Sequence, residues 1–154
     1  MNKKLICYFS ATGTTATVAK RLANMLNASI FEIEPVDSYT SNDLDWTNKN
    51  SRSSIEMSND ESRPKIKNKI DDINLYDSIY LGFPVWWYRE PSIIDTFIET
   101  YDLTNKNIYV FVTSGSSSVS SSLDSLKNKY KNLNFVSGMR LNDNVSISDI
   151  NSWV

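Results

Sequence analysis

Ser10-Ala11-Thr12-Gly13-Thr14-Thr15 sets four hydroxyl side chains around one glycine, between an apolar run and an amphipathic one. The run before it, Leu5-Ile6-Cys7-Tyr8-Phe9, has the continuous hydrophobicity of a strand buried on both faces. After it, Ala16, Val18, Ala19, Leu22, Ala23, Met25 and Leu26 recur at helical spacing, with Lys20 and Arg21 on the opposite face. A turn that leaves a strand and opens a helix presents the unpaired amides of the first helical turn at the positive end of the helix dipole. Ser10, Thr12, Thr14 and Thr15 add hydroxyl donors, so the stretch can cradle a phosphate. It lacks the Gly-Lys-Ser/Thr of a nucleoside-triphosphate loop and the three spaced glycines of a dinucleotide loop. Neutral donors suit a single terminal phosphate whose charge is met by dipoles.

Two further loops carry unusual chemistry. Pro84-Val85-Trp86-Trp87-Tyr88-Arg89-Glu90-Pro91 places three consecutive aromatics where they would meet water, as a surface that stacks on a flat ring does. Either tryptophan could equally anchor the following helix to the core, and Arg89 is expected in a surface salt bridge. Thr113-Ser114-Gly115-Ser116-Ser117-Ser118-Val119-Ser120 has no aromatic but offers small residues and free backbone amides. The chain contains no histidine and one cysteine, which excludes a Ser-His-Asp triad, a Cys-His pair and the usual zinc sites. Cys7, alone in a strand, reads as core. With 16 basic against 18 acidic residues, the net charge of -2 argues against nucleic acid or an anionic membrane as partner. Acidic residues do cluster, at Glu32, Glu34, Asp37, Asp43 and Asp45 and again at Glu90, Asp95, Glu99 and Asp102, the pattern of a solvated face or, less commonly, of an acidic rim.

The elements that must position these loops alternate. Strands are predicted at 5–9, 30–33, 78–83, 107–112 and 133–137, and helices from Ala16, from 66 to 73, from Pro91 to Tyr101, from 120 to 130 and from 148 to 154. Residues 36–63 read as a polar surface excursion with short helical pieces near 41–46 and 53–57. Alternation with right-handed crossovers gives a doubly wound parallel sheet, and a ligand at its switch point meets the loops after strands 1, 3 and 4. Those are the three loops described above. A chain of 154 residues, 40% hydrophobic, reads as a single domain over 1–154.

Ile6 to Leu22 resembles the flavodoxin fingerprint, with Tyr8, Ser10, Gly13, Thr15, Ala19 and Leu22 on its positions and Cys7 departing from it. The likeness extends to a bacterial subfamily with a Pro-x-Trp-Trp-Tyr loop, Thr-Ser-Gly after strand 4, and an ending matched by Val145, Ser146, Ile150 and Trp153. It implies a flavodoxin-like α/β three-layer sandwich with five parallel strands in the order 2-1-3-4-5. It also implies FMN as cofactor: Ser10, Thr12, Gly13, Thr14 and Thr15 at its phosphate, Pro84, Val85, Trp86, Trp87 and Tyr88 along the isoalloxazine, and Thr113, Ser114, Gly115 and Ser116 at its polar edge. Trp86 or Trp87 would stack on the ring, with the other face open or covered by Tyr39 or Trp46. The implied function is low-potential electron transfer by a cytoplasmic monomer with transient redox protein partners, no nucleic acid and no membrane. An FMN-dependent quinone or small-molecule reductase and a flavin-free interaction domain are the alternatives. Because the aromatic loop lacks glycine, a penalty of ~1–2 kcal/mol is expected for any of its residues at positive φ, with a correspondingly less stable one-electron flavin state.

Overall fold

The computed structural model describes residues 3–115, 117–142 and 147–153. Five parallel strands, β1 (Lys4–Tyr8), β2 (Ser29–Glu32), β3 (Ser78–Pro84), β4 (Asn107–Thr113) and β5 (Asn134–Arg140), form one sheet in the order β2-β1-β3-β4-β5, as expected. The helices are α1 (Thr14–Leu26), α2 (Arg52–Met57), α3 (Ser92–Thr100), α4 (Ser120–Lys129) and α5 (Ile147–Trp153).

Strand periodicity sorts the core into two layers. Leu5, Cys7 and Phe9 pack with Ile79, Leu81 and Phe83 against Ile93, Ile94 and Phe97 of α3 and Leu126 of α4. Ile6, Tyr8, Tyr80 and Phe111 face the other way, against Val18, Ala19 and Leu22 of α1 and Ile150 and Trp153 of α5. Cys7 is fully buried, and burial pushes its thiol well above the ordinary range, which fits a core role. Gly82 is required by a close approach, since a Cβ there would lie 2.0 Å from the Phe111 ring. Of the ending matched in the sequence, Ile150 and Trp153 are buried, while Val145 and Ser146 lie outside the described residues.

The expected helix over 66–73 does not form. Ile66, Ile70 and Ile73 have helical spacing, yet burial alternates residue by residue along this segment, the mark of an extended chain. Pro35 and Ile66 form an antiparallel bridge, with Val36 N–H donating to Lys65 O at 2.9 Å and Lys67 N–H to Glu34 O at 2.7 Å. Asn68 adds its side-chain amide to the Glu32 carbonyl at 2.7 Å. The segment thereby flanks the chain where it leaves β2, and a single 3-10 turn, Ile73–Leu75, leads into β3.

Candidate functional site

A cleft of about 830 Å³ opens at the carboxyl ends of the central strands, near the upper end of the usual size for a small-molecule site. Ala11, Thr12, Thr14 and Thr15 line one end, and Pro84, Val85, Trp86, Trp87 and Tyr88 line another side. Ser114, Gly115 and Ser117 close it from the loop after β4, and Leu44, Trp46 and Ser53 close it from the excursion.

At the end of the cleft lined by the Ser10–Thr15 loop, Gly13 caps α1 with φ 97°, a left-handed conformation that glycine adopts freely. Its amide donates to Ser10 Oγ at 3.0 Å and its carbonyl accepts Thr17 N–H at 3.1 Å, so Ser10 and Gly13 shape the turn behind the cleft surface. Thr12 and Thr14 are exposed and line the cleft directly. Thr15 is buried, its hydroxyl 2.7 Å from that of buried Thr113, which ties the first loop to the end of β4. No acidic residue occupies the first turn of α1.

The aromatic loop is a two-residue hairpin turn. Trp86 and Arg89 exchange both backbone hydrogen bonds, at 3.0 and 3.1 Å, and the residues between them, Trp87 and Tyr88, have φ of 48° and 63°. Both central residues at positive φ is the geometry that Asn-Gly usually supplies; a bulky side chain at each costs roughly 1–2 kcal/mol. The loop therefore adopts left-handed backbone without glycine, at the two positions to which the expected side-chain penalty attaches. Trp86 is half-buried, edge-on to Phe9 (5.6 Å) and Tyr39 (5.4 Å), and so anchors the turn to the core while walling the cleft. Trp87 is 44% exposed and Tyr88 73%. Tyr39 packs beneath, under the Arg52 guanidinium (3.8 Å) and hydrogen-bonded to Glu56, whereas Trp46, 74% exposed, reaches the cleft.

The turn rests on buried charge. Glu90 and Asp95 are fully buried, so these two members of the second acidic cluster form neither a rim nor a solvated face, whereas Glu99 and Asp102 are exposed. Glu90 accepts Ser125 Oγ at 2.9 Å and Lys129 Nζ at 2.7 Å. Asp95 lies 3.4 Å from Lys129 Nζ and 2.8 Å from the Tyr130 hydroxyl. Arg89, its side chain only 13% exposed, reaches both carboxylates, at 3.7 and 3.8 Å, and Asp60 at 3.8 Å. It is thus a partly buried member of this network and not a surface pair. Burial, reinforced by the Glu90 charge, pushes the Asp95 carboxyl up to about 7. The Tyr130 hydroxyl also lies 2.8 Å from Glu99. One phenolic hydrogen cannot serve two carboxylates, which fits a proton retained on Asp95.

The second loop is clamped from β5. Arg140 donates to the carbonyls of Ser114 (3.1 Å) and Gly115 (2.9 Å), and the Ser114 hydroxyl donates to Ser117 O. Ser116 lies outside the described residues.

The flavodoxin sequence profile matches residues 3–154. The chain belongs to the flavodoxin family. Two solved structures are close to this flavodoxin: a candidate flavoprotein from Bacteroides eggerthii, 44% identical over 99% of this chain and 96% of that one with a TM-score of 0.96, and another from Bacteroides uniformis, 45% identical over 99% and 97% with a TM-score of 0.93. A Lactobacillus acidophilus flavoprotein solved in complex with FMN shares the fold at 22% identity, over 99% of each chain, with a TM-score of 0.76. No curated protein matches the chain.

Of the residues singled out in the sequence, Thr12, Thr14, Thr15, Pro84, Val85, Trp86, Trp87, Tyr88, Ser114 and Gly115 meet at the cleft, and Ser10, Gly13 and Thr113 support it from behind. Leu44, Ser53, Ser117 and the Arg140 clamp escaped notice. Only a tertiary fold brings Leu44 and Ser53 to β3, and nothing marks Arg140 as other than a strand-end base. Among the described residues no helix is long and apolar enough to cross a membrane.

Proposed function

We propose that residues 1–154 form one domain that holds FMN in this cleft and carries electrons at low potential between transient protein partners in the cytoplasm. The observation that carries the reading is the cleft's polarity: a cradle of neutral donors at a helix start and an exposed aromatic turn share one cavity, as phosphate and ring share one cofactor. Family membership supports it, as does the FMN bound by the Lactobacillus protein of the same fold. The donor set fits the group, since hydroxyls and helix amides without a first-turn carboxylate favour a phosphate dianion. Bound there, FMN supplies the redox chemistry, taking up and releasing electrons.

Thr12 and Thr14 with the first amides of α1 hold the phosphate, while Ser10, Gly13 and the Thr15–Thr113 pair fix the cradle. Trp87 stacks on the ring, Trp86 walls it, and Tyr88 stands at the rim. Ser114 and Gly115, held by Arg140, serve the polar edge of the ring, and Ser116 is proposed for the same edge from its place in the sequence. The exposure of Trp87 and Tyr88 leaves an aromatic edge open to a docking partner, and the low-dielectric aromatic wall of the cleft disfavours added negative charge on the ring, which lowers its potential.

A second reading, reduction of a quinone or another small molecule, is favoured by Trp46 and Tyr88, whose large exposed rings border the same cleft. Reconstitution with FMN, dialysis and absorbance test the cofactor: retained yellow protein with quenched flavin fluorescence is expected. Colourless protein would favour a flavin-free interaction domain. The Trp87→Ala variant should recover much of the flavin fluorescence, and Trp86→Ala should mainly lower stability. Rapid NAD(P)H oxidation by the isolated holoprotein with a quinone would favour the enzyme; dependence on a separate reductase favours the carrier.

A further inference from the structure

The wall of the cleft supplied by the excursion contains a polar atom that the folded chain leaves unpaired. Ser53 is 2% exposed, lines the cleft beside Leu44 and Trp46, and has no hydrogen-bond partner for its Oγ. The neighbouring serines, Ser51 capping α2 and Ser54 within it, are satisfied: Ser51 Oγ accepts Ser54 N–H at 3.3 Å and donates to Ser54 Oγ at 2.9 Å. The Ser53 backbone is pinned as well, its amide donating to Asp43 O at 2.9 Å, so the hydroxyl alone is left over.

The position of α2 says which end of the cleft this hydroxyl serves. Ser53 and Met57 are one turn apart on the same buried face. The Met57 carbonyl accepts Arg89 Nη2 at 3.2 Å, and the Ser92 hydroxyl donates to the Glu56 carbonyl at 3.4 Å. That face is therefore locked to residues 89–92, which continue from the Trp86–Arg89 turn, and not to the Ser10–Thr15 loop. A buried hydroxyl without a partner is unfavourable, and native structures satisfy nearly all such groups. In a ligand cleft the missing partner is the ligand. Serine suits the task, because one rotamer step about χ1 swings its oxygen through about 120° without moving the backbone.

We propose that Ser53 is a ring-end contact of the bound flavin: its hydroxyl bonds a polar atom of the isoalloxazine or the ribityl chain, away from the phosphate. The assignment rests on the FMN reading given above. It gives the excursion a part in binding, as a third ligand loop brought to the aromatic turn by the Arg89 and Ser92 contacts. A hydroxyl that both donates and accepts can meet either kind of flavin atom.

The test compares Ser53→Ala with the unsubstituted protein, using Ser54→Ala as reference. Removing an unpaired hydroxyl should leave the apoprotein melting temperature unchanged or raise it, while weakening FMN roughly 2- to 10-fold. Riboflavin, which lacks the phosphate, should weaken by the same factor. Ser54→Ala should bind both as the parent does. A lower melting temperature with parental FMN affinity would make Ser53 a packing residue and overturn the proposal. A loss confined to FMN would move the contact to the phosphate and overturn it equally. If Ser53→Ala fails to fold, Ser53→Cys, close in size and a poor donor, takes its place with the same expected and overturning results. Failure of the unsubstituted protein to bind FMN overturns the cofactor reading itself, whereas an indifferent Ser53 variant in a protein that binds FMN overturns this assignment alone.

Discussion

At the anion end of the cleft, the loop from Ser10 to Thr15 takes its shape from residues adjacent in sequence: a serine hydroxyl accepting an amide three positions on, a glycine at positive φ, and the start of a helix. At the aromatic end, the turn from Trp86 to Arg89 holds two bulky residues at positive φ, and its last residue reaches carboxylates paired with Lys129 from α4. One end uses neutral dipoles and relaxed backbone; the other combines local strain with buried ions. The difference teaches that a binding surface can be held against its own conformational preference when charge beneath it is neutralised only in the assembled fold.

The largest expected effect breaks the ionic support. Lys129→Met leaves Glu90 and Asp95 with Arg89 as their remaining nearby cation, and should cost about 3 kcal/mol of stability in urea denaturation. An unchanged midpoint would mean that Arg89 alone suffices and that the two ends are less different than argued.

The same network predicts a pH dependence. Burial raises the Asp95 carboxyl from the ordinary carboxylate range at ~4 to about 7, so the folded state holds a proton that the unfolded chain has released. Its contribution to stability is complete below pH 4 and is lost as pH rises toward 7. Melting temperatures measured across that window should therefore show a declining component, and Asp95→Asn should flatten it. A profile that is identical in the variant would show that Asp95 ionises normally.

At the anion end, Thr12→Ala should weaken FMN by ~1.5–3 kcal/mol, since a hydrogen bond to a charged group is lost. Riboflavin should bind far more weakly than FMN and be insensitive to this change. Thr15→Ala should act differently from a surface cradle residue, because it strands the buried Thr113 hydroxyl and so lowers apoprotein stability as well. Equal FMN and riboflavin affinities in fluorescence titrations would remove the phosphate assignment altogether.

The smallest effect tests the strain. Tyr88→Gly should stabilise the apoprotein by about 1 kcal/mol, because glycine meets no penalty at φ 63°. A loss of stability instead would mean that the Tyr88 ring contributes more than its backbone costs. The result also bears on the flavin's one-electron state, since the penalty expected to make that state less stable is the cost of side chains at positive φ in this turn.

The alternation of strands and helices and the three loops were legible in the sequence because each rests on local patterning: continuous apolar runs, a helical face and hydroxyls around a glycine; the order of the strands came from the family resemblance. Ile66, Ile70 and Ile73 misled because their spacing fits a helix, while the hydrogen bonds that hold that segment extended come from Glu32, Glu34 and Val36 some thirty residues earlier. Glu90 and Asp95 looked like surface acids for a similar reason, their partners Lys129 and Tyr130 lying more than thirty positions on.

The sequence by itself determined a doubly wound α/β chain with a hydroxyl-rich loop at a helix start, a candidate anion cradle, and two candidate ring loops, since propensity and periodicity act within a few residues. Tertiary structure alone decided that Trp86 is the anchored tryptophan and Trp87 the exposed one, that Ser53 and Trp46 complete the cleft, and that two carboxylates lie under the turn. These are set by contacts between segments far apart in the chain, whose energies exist only when strand, helix and excursion are packed together.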